Sequence, residues 1–288
     1  MDIYALQAFI EVSKHKSFSL AADSLHLTQP AVSKRVAGLE RELGIRLFDR
    51  IGRQVMLTEA GNTLLPKAQN LLNDLADLKR LASNLSGAVA GILVMGTSHH
   101  IGLHRLPAPL RTFTYSYPGV RLDIRFMDSE AACRAVETGE LEIAVVTLPN
   151  QGSGKLHLRK IWDDPLAFVV AADHPLVSAT GLSLAELTAY PAVLPGKSTY
   201  TRSILDAAIL EHNLELTINM STNYLETLKM LVSAGQGWSL LPETMLNHEL
   251  VALRLPLRLK RELGIVVHAS RTLSHAASAL AHILRSPE

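Results

Sequence analysis

The stretch TQPAVSKRVAGLERELG, residues 28–44, decides the fold of the N-terminal part of the chain. Thr28 can accept a hydrogen bond from a backbone N–H at a helix start, and Pro30 falls in the first turn, where a missing N–H costs nothing. The apolar residues of one face recur at helical spacing: Val32, Val36, Leu39 and Leu43. Gly44 is a typical residue just after a helix. The stretch therefore predicts a helix over Gln29–Leu43 that buries one face.

Two further helices are predicted before this one. Apolar residues between Ile3 and Val12 recur at helical spacing and indicate a first helix. Ser17 or Ser19 offers an N-cap for a second helix over Ser19–Leu25, and His26-Leu27 makes a short turn. Two short helices joined by a tight turn form the unit that places its second helix in the major groove of DNA.

The polar edge of the Gln29–Leu43 helix is predicted to contact DNA. Glutamine pairs with adenine, and lysine favours guanine or phosphate. The next segment, LFDRIGRQVMLT, reads as a strand, a turn at Gly52 and a strand, with basic residues at the hairpin tip that suit a minor-groove or phosphate contact. The predicted DNA-contacting residues are Thr28, Gln29, Pro30, Ser33, Lys34, Arg50 and Arg53.

Helical periodicity alone favours a plain three-helix bundle with a solvated charged face, but the motifs are more specific. Between Ala8 and Gly61 the chain contains the pair Ala21-Ala22 and the strings TQPAVSKRV, LExELGxxLFxR and LTEAG. This stretch resembles the N-terminal signature of LysR-type transcriptional regulators. The resemblance implies a winged helix-turn-helix DNA-binding domain over residues 1–60. It also implies promoter or operator DNA and RNA polymerase as partners.

A long linker helix is predicted within residues 58–90, starting after a cap at Thr58 and running to about Ser86. Leucines recur along it with the seven-residue period of a coiled-coil seam. The predicted dimerisation residues are Leu64, Leu71, Leu75, Leu78 and Leu85. The alternative is that this stripe packs on the C-terminal domain of its own chain. The resemblance implies the first reading: a homodimer formed through the linker helix, assembled further into a tetramer.

The remaining residues, 91–288, alternate between strand and helix patterns, beginning with the strand GILVMGTS and a helix over Ile101–Phe113. This alternation predicts an α/β domain with a mostly parallel sheet. The landmarks LPAPLRTF, YPGVRL, GELEIAVV, DHPL and VSAGQGWSLLP are similar to the periplasmic-binding-protein-like effector domain of the same family. The resemblance implies two lobes, which we assign to 91–160 with 267–288 and to 161–266. The predicted crossings between them lie at Thr147-Leu148 and Gly264-Ile265-Val266.

A small-molecule effector is predicted to bind between these lobes, because ligands of α/β sheets lie beyond the carboxyl ends of the strands. Hydroxyls and backbone N–H groups at helix starts favour anions, so the expected effector is a small carboxylate, for example a branched hydroxy-diacid. The candidate residues are Thr97, Ser98, His99, His100, Ser129, Thr147, Lys197, Ser198, Thr199, Tyr200 and Asn223. Ordinary helix capping is the competing explanation for each of them.

Two alternative readings remain: a metal-sensing regulator that uses His99, His100 and His104, and an effector that is not a carboxylate. Histidines four residues apart on a helix can share a metal ion. No neighbouring cysteine or carboxylate cluster completes such a site in the sequence, so we predict no metal and no cofactor.

Other function classes find little support. The chain has no GxSxG, P-loop or GxGxxG pattern in a suitable context, and its one cysteine, Cys133, has no adjacent base, so we do not expect an enzyme. A single cysteine also excludes an intrachain disulfide. No apolar run approaches the ~20 residues of a membrane helix, and the N-terminus has no signal-peptide pattern. The sequence therefore predicts a cytoplasmic protein without a membrane partner, and its net charge of +1 argues neither for nor against DNA.

Overall fold

The computed structural model describes residues 2–51, 54–85 and 87–285, and it divides into two compact units, residues 1–86 and 87–288. The side chains of Arg50, Ile51 and Ser83 are not among those described. Within the described ranges, every helix is too short or too polar to cross a membrane.

The first unit contains a three-helix head, a β-hairpin and a long helix. Its elements are α1 (Ile3–His15), α2 (Phe18–Ser24), α3 (Gln29–Leu43), β1 (Phe48–Ile51), β2 (Gln54–Leu57) and α4 (Glu59–Leu85). The second helix starts one residue earlier than predicted because Ser17 caps it, accepting a hydrogen bond from the N–H of Leu20 at 3.3 Å. Thr28 caps α3 in the same way, and Gly44 ends it in the left-handed region at φ 69°.

The apolar faces of α1, α2 and α3 meet in one core. Phe9, Val12, Val32 and Leu39 are all essentially inaccessible to solvent in it. Leu43 was also expected to point inward, but it is 39% exposed. It lies in the last turn of α3, just before Gly44 redirects the chain, so that expectation is wrong.

The second unit alternates between strands and short helices along its whole length. Its helices and strands are β3 (Gly91–Thr97), α5 (His99–His104), α6 (Pro107–Ser116), β4 (Val120–Phe126), α7 (Ser129–Thr138), β5 (Ile143–Thr147), β6 (Leu156–Ala171), α8 (Leu184–Thr188), β7 (Ala192–Leu194), α9 (Tyr200–Glu211), β8 (Ile218–Ser221), α10 (Leu225–Ser233), β9 (Ser239–Pro242), β10 (Leu250–Ala252), β11 (Leu259–His268) and α11 (His275–Ile283). The single helix predicted over Ile101–Phe113 is in fact two. Pro107 has no N–H to continue α5, and it restricts the residue before it.

The strands of the second unit form a mixed sheet in the order β10-β6-β11-β5-β3-β4, with β9 also paired to β6. Strand β3 runs parallel to β4 and β5, and β7 runs parallel to β8 in a separate pair. Strand β11 runs antiparallel to β5 and β6, and β6 also pairs antiparallel with β9 and β10. The prediction of a mostly parallel sheet is therefore wrong at the centre of this unit.

Two long strands, β6 and β11, join the two lobes. Leu263 packs in the core of the first lobe with Leu93, whereas Leu166 packs in the core of the second with Trp238. The β6–β11 register shifts between Leu263 and Gly264. A Cβ at Gly264 would lie 2.3 Å from the carbonyl oxygen of Arg159, so the two backbones can approach this closely only at a glycine.

The two predicted crossings differ in how they relate to these strands. Gly264, Ile265 and Val266 do lie in β11, next to the register shift. Thr147 ends β5 and Leu148 follows it, and the crossing is made by β6 instead. The lobe boundaries at residues 160 and 267 stay a prediction, and Ile161 already packs against the core of the first lobe.

Candidate functional site

The N-terminal half of α3 presents a polar edge to solvent. Val32 and Val36 are buried on one side of the helix, while Gln29 and Lys34 are exposed on the other. The side-chain amide of Gln29 donates a hydrogen bond to Ser33 Oγ at 2.8 Å. This bond fixes the orientation of the amide, which is the group that can read a base edge.

The other predicted DNA-contacting residues fall in two places. Thr28 and Pro30 are exposed at the start of α3, where Thr28 Oγ1 accepts a hydrogen bond from the N–H of Ala31 at 3.4 Å. The backbone of Arg50 belongs to β1 and pairs with Val55. The side chain of Arg50 and the whole of Arg53 lie outside the described residues, so their contacts with DNA stay a prediction.

A cavity of about 60 Å³ lies between the two lobes of the second unit. Several of the predicted effector-binding residues line it, all of them at or just beyond strand ends or at helix starts. They are Ser98, His99, His100, Ser129, Thr147, Thr199 and Asn223.

The remaining candidates lie outside the wall of this cavity. Thr97 is fully buried, and its hydroxyl donates to the carbonyl oxygen of Val145 at 2.8 Å. Lys197 and Ser198 are exposed. Tyr200 is also outside the wall, but its backbone N–H donates a hydrogen bond to the carboxylate of the lining residue Glu130. The sequence predicts these residues at the site because they lie at strand ends or helix starts, and that position alone does not bring a side chain into the cavity wall.

Capping explains some of the lining residues. Thr199 Oγ1 accepts from the N–H of Arg202 at 3.2 Å and donates to the carbonyl oxygen of Gly196 at 2.9 Å. Ser129 Oγ is engaged differently, because it accepts from the N–H of Thr147, the last residue of β5, at 3.1 Å. Ser98 differs, because it precedes α5 without a side-chain capping bond. Its hydroxyl is therefore available to a molecule in the cavity.

A buried charged cluster that the sequence did not predict borders the cavity, and its members Arg261 and Thr201 form part of the wall. Arg261 Nε donates to Asp164 Oδ2 at 2.6 Å, and Arg261 Nη1 donates to Thr201 Oγ1 at 3.2 Å. Arg105 Nη2 reaches the other oxygen of Asp164 at 3.3 Å. Arg261 Nη2 is buried and has no hydrogen-bond partner among the described residues. Burial lowers the pKa of the Arg261 guanidinium, and the negative charge of Asp164 opposes that shift.

A sequence signal for this cluster existed in the alternation of the two long strands. Arg261 shares the inward face of β11 with Leu263, and Asp164 shares the inward face of β6 with Leu166. A charged residue at an inward position of an alternating strand needs a partner, because an unpaired buried charge is very costly. What the sequence lacked was the register that pairs these two positions, which are 97 residues apart.

His100 is a second buried polar group without a partner. It is 4% exposed, and neither of its ring nitrogens has a hydrogen-bond partner among the described residues. Burial lowers its pKa to about 4, and the positive charge of Arg261 adds to that effect. The imidazole is therefore neutral at physiological pH.

Hydrogen bonds between the lobes hold the cavity closed. Asn223 Nδ2, at the second lobe, donates to Asp128 Oδ2 of the first at 2.6 Å. Asn223 Oδ1 accepts from the N–H of Gly196 at 3.0 Å, which fixes the amide. The Glu130 carboxylate accepts from the N–H of Tyr200, and burial raises the pKa of that carboxyl. These contacts occupy the acidic groups of the wall.

Known protein families match both the N-terminal and the C-terminal part of the chain. Residues 3–62 match the family described as bacterial regulatory helix-turn-helix protein, lysR family, and residues 86–286 match the LysR substrate binding domain. An uncharacterized HTH-type transcriptional regulator from the ibpB-leuC intergenic region of Azotobacter vinelandii is 54% identical over 123 residues, which are 40% of this chain and 85% of that one.

Longer matches have lower identity. A probable RuBisCO transcriptional regulator from Synechocystis is 27% identical over 93% of this chain and 81% of its own length. The structure of a full-length OxyR variant from Pseudomonas aeruginosa superposes with a TM-score of 0.70 at 25% identity, covering 99% of this chain and 95% of that one. The chain therefore belongs to the LysR family of DNA-binding transcriptional regulators, with an N-terminal helix-turn-helix domain and a C-terminal effector-binding domain.

Proposed function

We propose that the effector of this regulator is a small organic anion, a carboxylate, that binds in the cavity between the lobes and thereby changes the action of the protein on DNA. The observation that carries this proposal is the unpartnered Nη2 of Arg261 in the cavity wall, judged among the described residues. Arginine forms strong charge-assisted hydrogen bonds with carboxylates. A buried donor left without a partner costs roughly 1–3 kcal/mol, a penalty that a ligand oxygen would remove.

Two carboxylates, those of Asp128 and Glu130, also line the wall, and burial raises the pKa of the Glu130 carboxyl, which favours its neutral form. Both already accept hydrogen bonds, Asp128 from Asn223 and Glu130 from the N–H of Tyr200. The wall keeps Arg261 Nη2 and the hydroxyl of Ser98 as donors for a ligand. These two donors favour an anionic ligand beside Arg261.

The cavity is too small for a metabolite in the arrangement described. Its volume of about 60 Å³ compares with roughly 30 Å³ for one water molecule and with roughly 300 Å³ or more for ordinary ligand pockets. Entry of an organic anion therefore requires the lobes to move apart, which breaks the bond between Asn223 and Asp128. We infer that the lobe angle of the effector-bound form differs from that of this closed form.

We further propose that this change in angle is transmitted to the DNA-binding heads. In a dimer, two α3 helices would enter successive major grooves of an operator with two-fold symmetry. A change in their spacing would alter the bend of the DNA, and with it the recruitment of RNA polymerase.

Replacing Ser98 by alanine is expected to weaken effector binding by about 1.5–3 kcal/mol, the range for a hydrogen bond to a charged group. The measurement is a titration of the full-length protein with an acid found by thermal-shift screening of mono-, di- and hydroxycarboxylates. Thr97→Val is the matched control, because the hydroxyl of Thr97 is already bonded to Val145.

The pattern of results separates the possible outcomes. Equal affinities of the Ser98→Ala and wild-type proteins would remove Ser98 from the site, and a loss in Thr97→Val alone would place the site elsewhere. Uncharged amides of the same acids serve as the test of charge. If they bind as well as the acids do, the effector is not an anion.

The dimer is a proposal that rests on the linker helix. Leu71, Leu78 and Leu85 are 47%, 62% and 90% exposed, although they are large and apolar. Leu64, by contrast, packs partly against the core of its own head. Leu75 is half-buried. We therefore propose that the seam from Leu71 to Leu85 packs against the same seam of a second chain to form a dimer. Contacts between effector domains would then join two dimers into a tetramer.

Replacing Leu78 by glutamate is expected to weaken this dimer by about 3 kcal/mol or more, because burial of one leucine contributes about 1.5–3 kcal/mol and two copies are lost. Sedimentation velocity across a concentration series measures the change. Lys79→Glu is the control, since Lys79 is the exposed neighbour outside the leucine seam. If Leu78→Glu and Lys79→Glu sediment alike at every concentration, another surface forms the dimer.

A further inference from the structure

Three side chains with metal-binding atoms meet at one edge of the interlobe cavity. His100 and His104 lie on α5 of the first lobe, and Glu226 lies on α10 of the second. Their ligand atoms all lie within 4.8 Å of one another. His104 Nε2 is 3.1 Å from Glu226 Oε1, so the cluster already joins the two lobes.

His100 provides an independent reason to expect a ligand at this point. Its ring is 4% exposed, neither nitrogen has a hydrogen-bond partner among the described residues, and the ring centroid is 4.6 Å from that of His104. Buried polar groups in proteins are almost always paired. A metal ion between His100 and His104 would engage one nitrogen of each ring.

We propose that His100, His104 and Glu226 bind a divalent transition-metal ion of the zinc type, and that this ion clamps the two lobes together in the closed form. Two imidazoles and one carboxylate are a common set of three protein ligands for zinc, and they leave a fourth position open. Magnesium and calcium prefer sites built from oxygen alone. The proposal does not depend on an organic effector, because its ligands are all protein side chains.

The local charges are compatible with a cation. Arg105 and Arg261 lie close to His100 and would by themselves repel a metal ion. Both are bonded to Asp164, and Glu226 adds a second negative charge. Two negative and two positive groups therefore surround the site before the ion binds.

The site departs from the triplet that the sequence suggested. His99 is the first residue of the same helix, α5, but it is not part of the cluster. Its ring stacks on Phe126 at 5.2 Å and meets the edge of Tyr224 at the same distance. The missing carboxylate comes from Glu226, which lies 122 residues after His104 and so gave no local motif.

The test is a zinc titration of the full-length protein after removal of metals with a chelator, without DNA or any organic acid. We expect one zinc ion per chain and, with Co²⁺, the visible absorption of a tetrahedral site. His104→Gln and Glu226→Gln change exposed side chains, so they should fold. Each should weaken zinc binding by at least about tenfold, because loss of even an outer-sphere partner has that effect.

His248→Gln is the control, since His248 is an exposed histidine outside the cluster. At one fixed zinc concentration, the melting temperature should rise by more in the wild-type protein than in Glu226→Gln. Zinc affinities of His104→Gln and Glu226→Gln equal to that of His248→Gln would overturn the proposal. Ser98→Ala should keep full zinc affinity, so a failure of the effector proposal and a failure of the zinc site give different results.

Discussion

Replacing Asp164 by alanine should destabilise the second unit by about 3–5 kcal/mol, the usual cost of removing one partner from a buried ion pair. Asp164 is fully buried, and Arg261 beside it is 5% exposed. Without the carboxylate, the guanidinium of Arg261 would keep only its bond to Thr201 among the described residues. Much of the measured loss would therefore be the cost of burying an uncompensated positive charge.

Urea unfolding followed by tryptophan fluorescence measures this effect in the full-length protein. Both tryptophans of the chain, Trp162 and Trp238, lie in the second unit, so the signal does not report on the DNA-binding head. Asp163→Ala is the matched control. Asp163 is the adjacent acid, but it is exposed and pairs with Lys160 and Lys260 at the surface, where ion pairs contribute little.

A double variant separates the loss of a contact from the burial of a charge. Asp164→Ala combined with Arg261→Met removes both charges, and replacing a buried pair by apolar groups is often close to neutral. We expect the double variant to be more stable than Asp164→Ala alone. If Asp164→Ala unfolds at the same urea concentration as Asp163→Ala, the buried pair does not stabilise the second unit in the way that its burial implies.

The structure of the DNA-binding head could be predicted from the sequence because the residues that determine it lie close together in the chain. The cap at Thr28, the stop at Gly44 and the spacing of Val32, Val36 and Leu39 all lie within one helix, and the observed α3 has the predicted bounds. Where local reasoning failed, the cause was packing beyond the helix. Leu43 fits the periodic pattern but lies past the point where α1 and α2 cover α3.

The proposed effector site was harder to predict from the sequence because it depends on strand register. Arg261 meets Asp164 only because β11 pairs with β6, and the pairing of Arg261 with Asp164 cannot be read from either strand alone. The same limit applies to Glu226, which reaches His104 across the lobes. Position along the chain predicted candidates such as Lys197 near helix starts, but the side chain of Lys197 is exposed to solvent.

Replacing Gln29 by alanine is the second change with a large expected effect, on DNA recognition rather than on folding. Gln29 is exposed at the start of α3, and its amide is oriented by the bond to Ser33. A bidentate contact from glutamine to adenine contributes about 1–3 kcal/mol of discrimination between bases. We therefore expect a loss of up to about a hundredfold in affinity for the preferred operator, and a much smaller loss on unrelated DNA.

Lys34→Ala should behave differently, because a lysine that contacts phosphate contributes to all sequences alike. Its loss should weaken binding uniformly and lower the slope of log affinity against log salt by about 1. Arg41→Ala is the control at the far end of α3, where the guanidinium donates to the carbonyl oxygen of Ala37. Fluorescence anisotropy with operator and scrambled duplexes at several salt concentrations measures all three variants. If Gln29→Ala keeps the wild-type preference for the operator over the scrambled duplex, then the polar edge of α3 does not read the bases. The head would then recognise DNA through another surface.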